Sequence, residues 1–159
     1  MPSELASEAV AALKQRGMTV ATAEATTGGL IGHMLTSVAG SSGVFKAGYA
    51  PYSNDAKLKL GVSSEVFEQF GAVSREAVEA LAKAVRSTVW ADVVIAETGI
   101  AGPTGGTEER PVGMFWIAVV GDAGTNCEKF VFSTGDREDN IKECGNAALG
   151  LLMRHLRQG

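Results

Sequence analysis

The chain has 159 residues, of which 45% are hydrophobic and 20% are charged, and its formal net charge at pH 7 is −4. This length and composition are typical of a globular protein with a substantial core, and we expect residues 1–159 to form a single domain. The charges are interspersed, so no basic face indicates nucleic-acid binding, and no apolar run reaches the ~18 residues of a membrane span. Cys127 and Cys144 lack metal-ligand spacing and the N-terminus lacks a signal-peptide core, so we expect a reduced cytoplasmic protein without a bound metal.

Apolar periodicity and capping residues predict six helical segments. In chain order these are Ser3–Arg16, a helix opened by Gly28-Gly29, a turn over Asp55–Leu58 capped by Ser53, two helices capped by Ser63 and Ser74, and a last helix from Asp136. The predicted strands are Thr19–Ala23, Val44–Ala50, Val93–Glu97, Met114–Val120 and, after a hairpin at Gly121–Gly124, Lys129–Phe132. Helices alternate with strands early and a hairpin comes late, so we predict a mixed sheet covered by helices on both faces.

The stretch from Thr98 to Thr107 joins two predicted core strands and contains four glycines and Pro103. A tight turn needs only about 2–5 residues, so this loop is longer than the connection requires. Glycine lets a ligand approach the backbone closely, and loops at strand ends of α/β proteins commonly bind small polar or anionic ligands. We therefore predict a ligand-binding loop, and a flexible surface loop is the alternative.

Two further segments carry candidate chemistry. In residues 24–29, main-chain N–H groups at a helix start and the hydroxyls of Thr26 and Thr27 are suited to an anion or oxyanion pocket. Simple N-capping by Thr27 is the alternative. In residues 52–57, Lys57 is a candidate general base if a cleft desolvates it, and a solvated surface lysine is the alternative.

These segments belong to a longer series of motifs. In order, the motifs are residues 24–29, 40–42, 52–57, 61–62, 71–74, 98–103, 105–107, 111–113 and 135–137. The series resembles the CinA C-terminal domain family, the nicotinamide mononucleotide deamidases, over nearly the whole chain. The resemblance implies a three-layer α/β/α fold with a mixed, mostly parallel sheet. It also implies hydrolysis of the amide of nicotinamide mononucleotide to nicotinate mononucleotide and ammonia, in pyridine nucleotide salvage, by a serine nucleophile and a lysine base without metal or cofactor.

The chain departs from this family at the nucleophile. The family's first motif usually reads Glu-Ser-Cys-Thr-Gly-Gly, whereas residues 24–29 read Glu-Ala-Thr-Thr-Gly-Gly. The serine corresponds to Ala25 and the cysteine to Thr26, while the lysine and a nearby tyrosine correspond to Lys57 and Tyr52. Removal of a nucleophile from such a catalytic unit costs on the order of 10⁶ in rate.

Three interpretations of Ala25 remain open. The protein binds a nucleotide without hydrolysing it efficiently, or it uses Thr26 or a lysine-activated water, or it acts on another substrate. We favour binding without efficient deamidation. A structural or interaction role, as partner of an active paralogue, is a further alternative. Because Thr26 departs from the motif as well, natural divergence is favoured over an engineered change.

The predicted catalytic residues are Lys57, Tyr52 and Thr26, with Ala25 in the nucleophile position. The predicted substrate-binding residues are Glu24, Thr27, Gly28, Gly29, Asn54, Gly99, Ala101, Gly102, Gly105, Gly106, Arg110 and Arg137. The two arginines are the cationic candidates for the nucleotide phosphate. We expect residues 24–29, Lys57 and the loop 99–107 to converge on one cleft that binds a small-molecule nucleotide, with no nucleic-acid or membrane partner. Homo-oligomerisation is left open.

Overall fold

The computed structural model describes residues 1–159. The six helices are α1 (Glu4–Arg16), α2 (Leu30–Thr36), α3 (Asn54–Lys59), α4 (Ser64–Phe70), α5 (Arg75–Val89) and α6 (Arg137–Gln158). The five strands are β1 (Val20–Glu24), β2 (Phe45–Tyr49), β3 (Val93–Gly99), β4 (Met114–Gly121) and β5 (Gly124–Val131). A single 3₁₀ turn, Ser41–Gly43, precedes β2. No helix is both long enough and apolar enough to cross a membrane.

The five strands form one mixed sheet in the order β2-β1-β3-β4-β5. Strand β1 is parallel to both β2 and β3, whereas β4 is antiparallel to β3 and to β5. Four of the five strands therefore run in the same direction. Helices cover both faces, so the predicted three-layer α/β/α fold with a mixed, mostly parallel sheet is confirmed.

Each face of the sheet has its own apolar core. Helices α1, α2 and α6 pack on one face, where residues such as Leu13, Ile95 and Leu152 are fully buried. Helix α5 covers the other face and presents Val78, Leu81 and other apolar residues to β1, β3 and β4. The separation follows from the strands, since alternate side chains along β1 and β3 point to opposite faces.

Short-range capping defines the helix starts as the sequence predicted. The side chains of Ser53, Ser63 and Ser74 each accept a hydrogen bond from a main-chain N–H in the first turn of the helix that follows. Asp136 does the same for α6. An Ncap side chain satisfies one of the main-chain donors that a helix start leaves without an internal partner.

The prediction for the last strand is wrong at its start, because β5 begins at Gly124 and not at Lys129. Strand β5 lies at the edge of the sheet and is largely exposed, so its first half carries no apolar pattern. Its pairing with the apolar strand β4 extends back to the Gly121–Gly124 pair at the hairpin. Tertiary pairing thus overrides the weak local preference.

We expect Gly99→Ala to lower the free energy of unfolding by about 1–3 kcal/mol, the usual cost of overpacking a core. A Cβ atom at this position would overlap the ring of Phe115, which is fully buried on β4. Gly150→Ala is the matched control, because Gly150 lies within α6 and a Cβ there meets no atom within 4 Å. The control should be neutral or stabilising by up to about 1 kcal/mol. Urea denaturation of both variants measures the difference, and equal stabilities would contradict the packing argument.

Candidate functional site

A pocket of about 250 Å³ lies where β1 and β3 end. Parallel strands that end side by side leave a crevice at their carboxyl ends, the usual ligand position in open α/β sheets. Five separate segments contribute to the walls. The lining residues are Ala25, Thr26, Tyr52, Lys57, Ala72, Val73, Thr98, Gly99, Ile100, Ala101, Gly102, Thr104, Gly105 and Arg137. The structure thus brings the turn after β1, Lys57 and the glycine-rich loop together at one pocket.

The turn after β1 presents Ala25 and Thr26 to this pocket. The main-chain N–H of Ala25 donates to the carbonyl oxygen of Glu97 over 3.2 Å, which extends the β1–β3 pairing by one residue. The hydroxyl of Thr26 donates to the carbonyl oxygen of Gly99 over 3.1 Å and accepts from the N–H of Gly99 over 3.0 Å. The threonine hydroxyl therefore fastens the turn to β3, and its single hydrogen is already engaged.

Lys57 is buried in the wall of the pocket, with only 7% of its surface exposed. Its ammonium group donates to the side-chain oxygen of Asn54 over 3.4 Å, and Nζ lies 6.0 Å from the centroid of the Phe67 ring. Burial lowers the pKa of Lys57, and the negative charge of Glu97 opposes this shift. The surface-lysine alternative is wrong, and a lysine of lowered pKa is suited to accept a proton.

Tyr52 and Arg137 form the rim of the pocket. One guanidinium nitrogen of Arg137 donates to the hydroxyl of Tyr52 over 2.9 Å, and the other donates to the carbonyl oxygen of Gly102 over 2.8 Å. Arg137 begins α6, and Tyr52 precedes α3 with 61% of its surface exposed. The arginine thereby joins three segments that are distant in sequence and directs a cation toward the pocket.

A buried carboxylate pair underlies the floor of this site. Glu24, at the end of β1, and Glu97, two residues before the end of β3, are register partners, and both are fully buried. Oε1 of Glu97 accepts hydrogen bonds from the main-chain N–H groups of Thr26 and Thr27 over 2.7 and 2.8 Å. Burial raises the pKa of Glu97 to about 7, although the donors at Thr26 and Thr27 act in the opposite direction.

Glu24 stabilises the start of α2. Its two carboxylate oxygens accept from the N–H groups of Ile31 and Gly32 over 2.7 and 3.0 Å. The hydroxyl of Thr27 lies between the pair, 2.6 Å from Oε1 of Glu24 and 3.0 Å from Oε1 of Glu97. The Ncap of α2 is Gly29, which has no side chain to cap with, so the N-capping alternative for Thr27 is wrong.

Glu97 is the functional residue that sequence reasoning missed. A signal was available, because each of the two apolar strands β1 and β3 carries a glutamate at or near its carboxyl end, Glu24 in β1 and Glu97 in β3. Only the register shows that the two carboxyl groups are neighbours.

Several predicted substrate-binding residues lie outside the pocket lining. Glu24 and Thr27 belong to the buried carboxylate layer, and Asn54 contacts the ammonium group of Lys57. Arg110 lines a neighbouring surface cleft, where its guanidinium donates to the carbonyl oxygens of Phe70 and Val73 over 2.7 and 3.0 Å. The remaining residues outside the lining are Gly28, Gly29 and Gly106. The substrate-binding roles of this group stay predictions.

A larger cleft of about 590 Å³ lies at the amino end of β3, away from these residues. It is lined by Lys83, Arg86, Trp90 and seven other residues. The guanidinium of Arg86 there already contacts Asp122 at 2.6 Å and the carbonyl oxygen of Ala91 at 3.3 Å. The smaller pocket has the buried lysine and the buried carboxylates, so we assign the candidate site to it. No group of three or more His, Cys, Asp or Glu side chains is arranged to hold a metal ion.

Comparisons with known proteins agree with this architecture. Residues 2–156 match the model of the CinA C-terminal domain. A nicotinamide-nucleotide amidohydrolase PncC from Enterobacter agglomerans is 46% identical over 136 residues, which are 85% of this chain and 83% of that protein. A putative competence-damage inducible protein from Caldicellulosiruptor saccharolyticus is 46% identical over 143 residues, which are 89% of this chain. The chain spans only 34% of the length of that second relative.

A comparison with solved structures also finds the same fold in a competence/damage inducible protein. The crystal structure of the competence/damage inducible protein CihA from Agrobacterium tumefaciens superposes with a TM-score of 0.92 at 37% sequence identity. The superposition covers 96% of this chain and 93% of that one.

The raised pKa of Glu97 predicts a pH-dependent stability difference between the wild type and Glu97→Gln. The folded protein holds a proton on this carboxyl up to about pH 7, whereas the ordinary pKa is 4.5. This contribution to the free energy of unfolding is therefore complete below pH 4.5 and is lost as the pH rises through 7. Glutamine does not titrate, so the stability of Glu97→Gln relative to wild type should rise between pH 5 and 8, by on the order of 1–3 kcal/mol.

Urea denaturation at several pH values measures this trend. Glu128→Gln is the control, because Glu128 is about half exposed and forms a surface ion pair with Arg154 at 2.8 Å. Its difference from wild type should stay within about 1 kcal/mol. A stability difference between Glu97→Gln and wild type that stays constant across this pH range would contradict the raised pKa of Glu97.

Proposed function

Because the chain belongs to the CinA C-terminal domain family, we propose that it binds nicotinamide mononucleotide or a similar nucleotide in the pocket between Ala25 and Lys57, and deamidates it only slowly. The single observation that carries the proposal is that alanine is the residue at position 25, in the turn after β1. Ala25 lines the same pocket as the buried Lys57 and supplies no reactive atom. The relative from Enterobacter agglomerans, a nicotinamide-nucleotide amidohydrolase, supports the substrate class. A place in pyridine nucleotide salvage is part of the proposal.

The pocket contains groups suited to a nucleotide with an amide and a phosphate. Main-chain groups of the loop from Thr98 to Gly105 lie along one wall, and the cation of Arg137 lies at the rim. The protein has a net charge of −4, so binding of a phosphate requires local compensation by such donors. We propose Arg137 as the phosphate contact.

Amide hydrolysis requires a nucleophile that forms a bond to the carbonyl carbon while the C–N bond breaks and ammonia leaves with a proton. General base catalysis by Lys57 would remove the proton from that nucleophile. Thr26 is a poor candidate for this part, because its hydroxyl both donates to and accepts from the main chain of Gly99. A water molecule beside Lys57 remains as the nucleophile of a slow reaction.

We expect Ala25→Ser to raise the rate of ammonia release from nicotinamide mononucleotide by several orders of magnitude, since losses of this kind are on the order of 10⁶. Ala72→Ser is the matched control, because Ala72 lines the same pocket away from the turn after β1. It should leave the rate at the wild-type level. A coupled ammonia assay measures both, and an equal effect of the two serines would contradict the assignment of position 25.

Variants of the otherwise unmodified chain distinguish the two other candidate nucleophiles, a water molecule and Thr26. If Lys57 activates a water, Lys57→Ala should abolish the residual rate, while Thr26→Val should change it little. Robust wild-type turnover that Thr26→Val abolishes would identify the threonine as the nucleophile, in contradiction of our proposal. Turnover that Lys57→Ala leaves unchanged would remove the lysine from the mechanism.

For binding, we expect Arg137→Ala to weaken the affinity for nicotinamide mononucleotide by about 1.5–3 kcal/mol, the value of a charge-assisted hydrogen bond. Affinity should also fall with added salt. Arg110→Ala is the matched comparison, since that guanidinium is engaged by main-chain carbonyls of Phe70 and Val73. Calorimetry at two ionic strengths measures both. A larger loss of affinity for Arg110→Ala would identify Arg110 as the phosphate contact. If the wild type does not bind at millimolar nucleotide, the role of an interaction protein is favoured.

A further inference from the structure

The two buried carboxylates differ in how completely they are satisfied. Both oxygens of Glu24 have main-chain donors at the start of α2. In Glu97, by contrast, Oε1 receives all the donors and Oε2 is buried without a hydrogen-bond partner. An unpartnered carboxylate oxygen in a protein interior is costly, so its retention requires an explanation.

The hydrogen bonds to Oε1 explain why an acceptor is needed at position 97, but they do not explain why it is a carboxylate. The N–H groups of Thr26 and Thr27 hold the turn that presents Ala25 to the pocket, over 2.7 and 2.8 Å. A neutral amide oxygen accepts hydrogen bonds from the same two donors. The second oxygen and the negative charge are therefore not needed to hold the turn.

The charges around Glu97 show where its own charge acts. Glu24 faces it from β1 as a like charge, and the negative charges of both carboxyls act on the thiol of Cys144 in α6. Burial, together with both carboxyls, raises the pKa of Cys144, which keeps this thiol neutral. Lys57 of α3 lines the same pocket as Thr26, whose N–H donates to Glu97, and Lys57 is the cation that interacts with Glu97. The charge of Glu97 thus acts on the proposed base of the pocket.

We propose that Glu97 is a positioning residue of this pocket, which holds the turn at Ala25 through Oε1 and serves as the buried counter-charge of Lys57. The protonation of Glu97 then controls the fraction of Lys57 available as a neutral base. The importance of this control for catalysis rests on the proposed function, whereas the coupling of the two side chains does not.

The coupling is measured without any ligand by a nuclear magnetic resonance pH titration of the Lys57 side chain in the folded protein. Loss of the negative charge in Glu97→Gln should lower the pKa of Lys57 further, by about one unit. Glu128→Gln, which removes a surface carboxylate, should leave the Lys57 titration at its wild-type position. An unchanged Lys57 titration in Glu97→Gln would overturn the proposal and leave Glu97 with a structural role only.

The wild-type protein supplies a second measurement, which decides the matter even if Glu97→Gln fails to fold. The main-chain amide signals of Thr26 and Thr27 report the ionisation of the carboxyl that they contact. We expect these signals and those of Lys57 to show a common step near neutral pH. A step at the amides with none at Lys57 would overturn the proposal.

The link to the reaction is tested in the Ala25→Ser background. Addition of Glu97→Gln should move the acidic limb of the kcat/KM profile to lower pH by the same amount as the Lys57 titration, because the base is then neutral at lower pH. A purely structural effect would reduce the rate without moving the limb, and that result would overturn the positioning role. If no variant binds the nucleotide while the Lys57 titration still shifts, the proposed function fails and the coupling stands.

Discussion

The attachment of the turn after β1 to the end of β3 is the interaction on which the site depends. Two carboxylates that are buried as register partners would repel each other in an apolar core, and main-chain donors offset this repulsion at both oxygens of Glu24 and at Oε1 of Glu97. Glu24 takes its donors from the start of α2, and Glu97 takes its donors from the turn itself. The chain therefore leaves β1 along a path that hydrogen bonds define at every residue from Ala25 to Thr27. Position 25 is directed into the pocket as a result.

The same constraint explains why the pocket is built from distant segments. Because β1 and β3 are parallel neighbours, their carboxyl ends reach one edge of the sheet together. The crossover from β2 to β3 brings Lys57 to that edge on α3, and the start of α6 brings Arg137. Only one strand, β4, runs in the opposite direction, and the loop that leads into it is the glycine-rich wall of the pocket.

The features predicted correctly from sequence were those that local chemistry determines. Capping by Ser53 or Ser74 depends on a few neighbouring residues. The core strands could be predicted because their sequences are continuously apolar. The start of β5 was missed because an exposed edge strand acquires its conformation from its partner. Motif order correctly indicated that Lys57 and the glycine-rich loop share a pocket. Sequence did not distinguish Arg110 from Arg137, since that difference lies in which carbonyl groups each guanidinium contacts after folding.

The intact surroundings of Ala25 have an evolutionary consequence. Alanine and serine codons of the same third base differ by a single nucleotide, so one point mutation would place a hydroxyl at this position. The lysine, the carboxylate pair and the glycine-rich wall are all present around it. Under the proposed function, this protein therefore stands one mutational step from a nucleophile in the same pocket as its base.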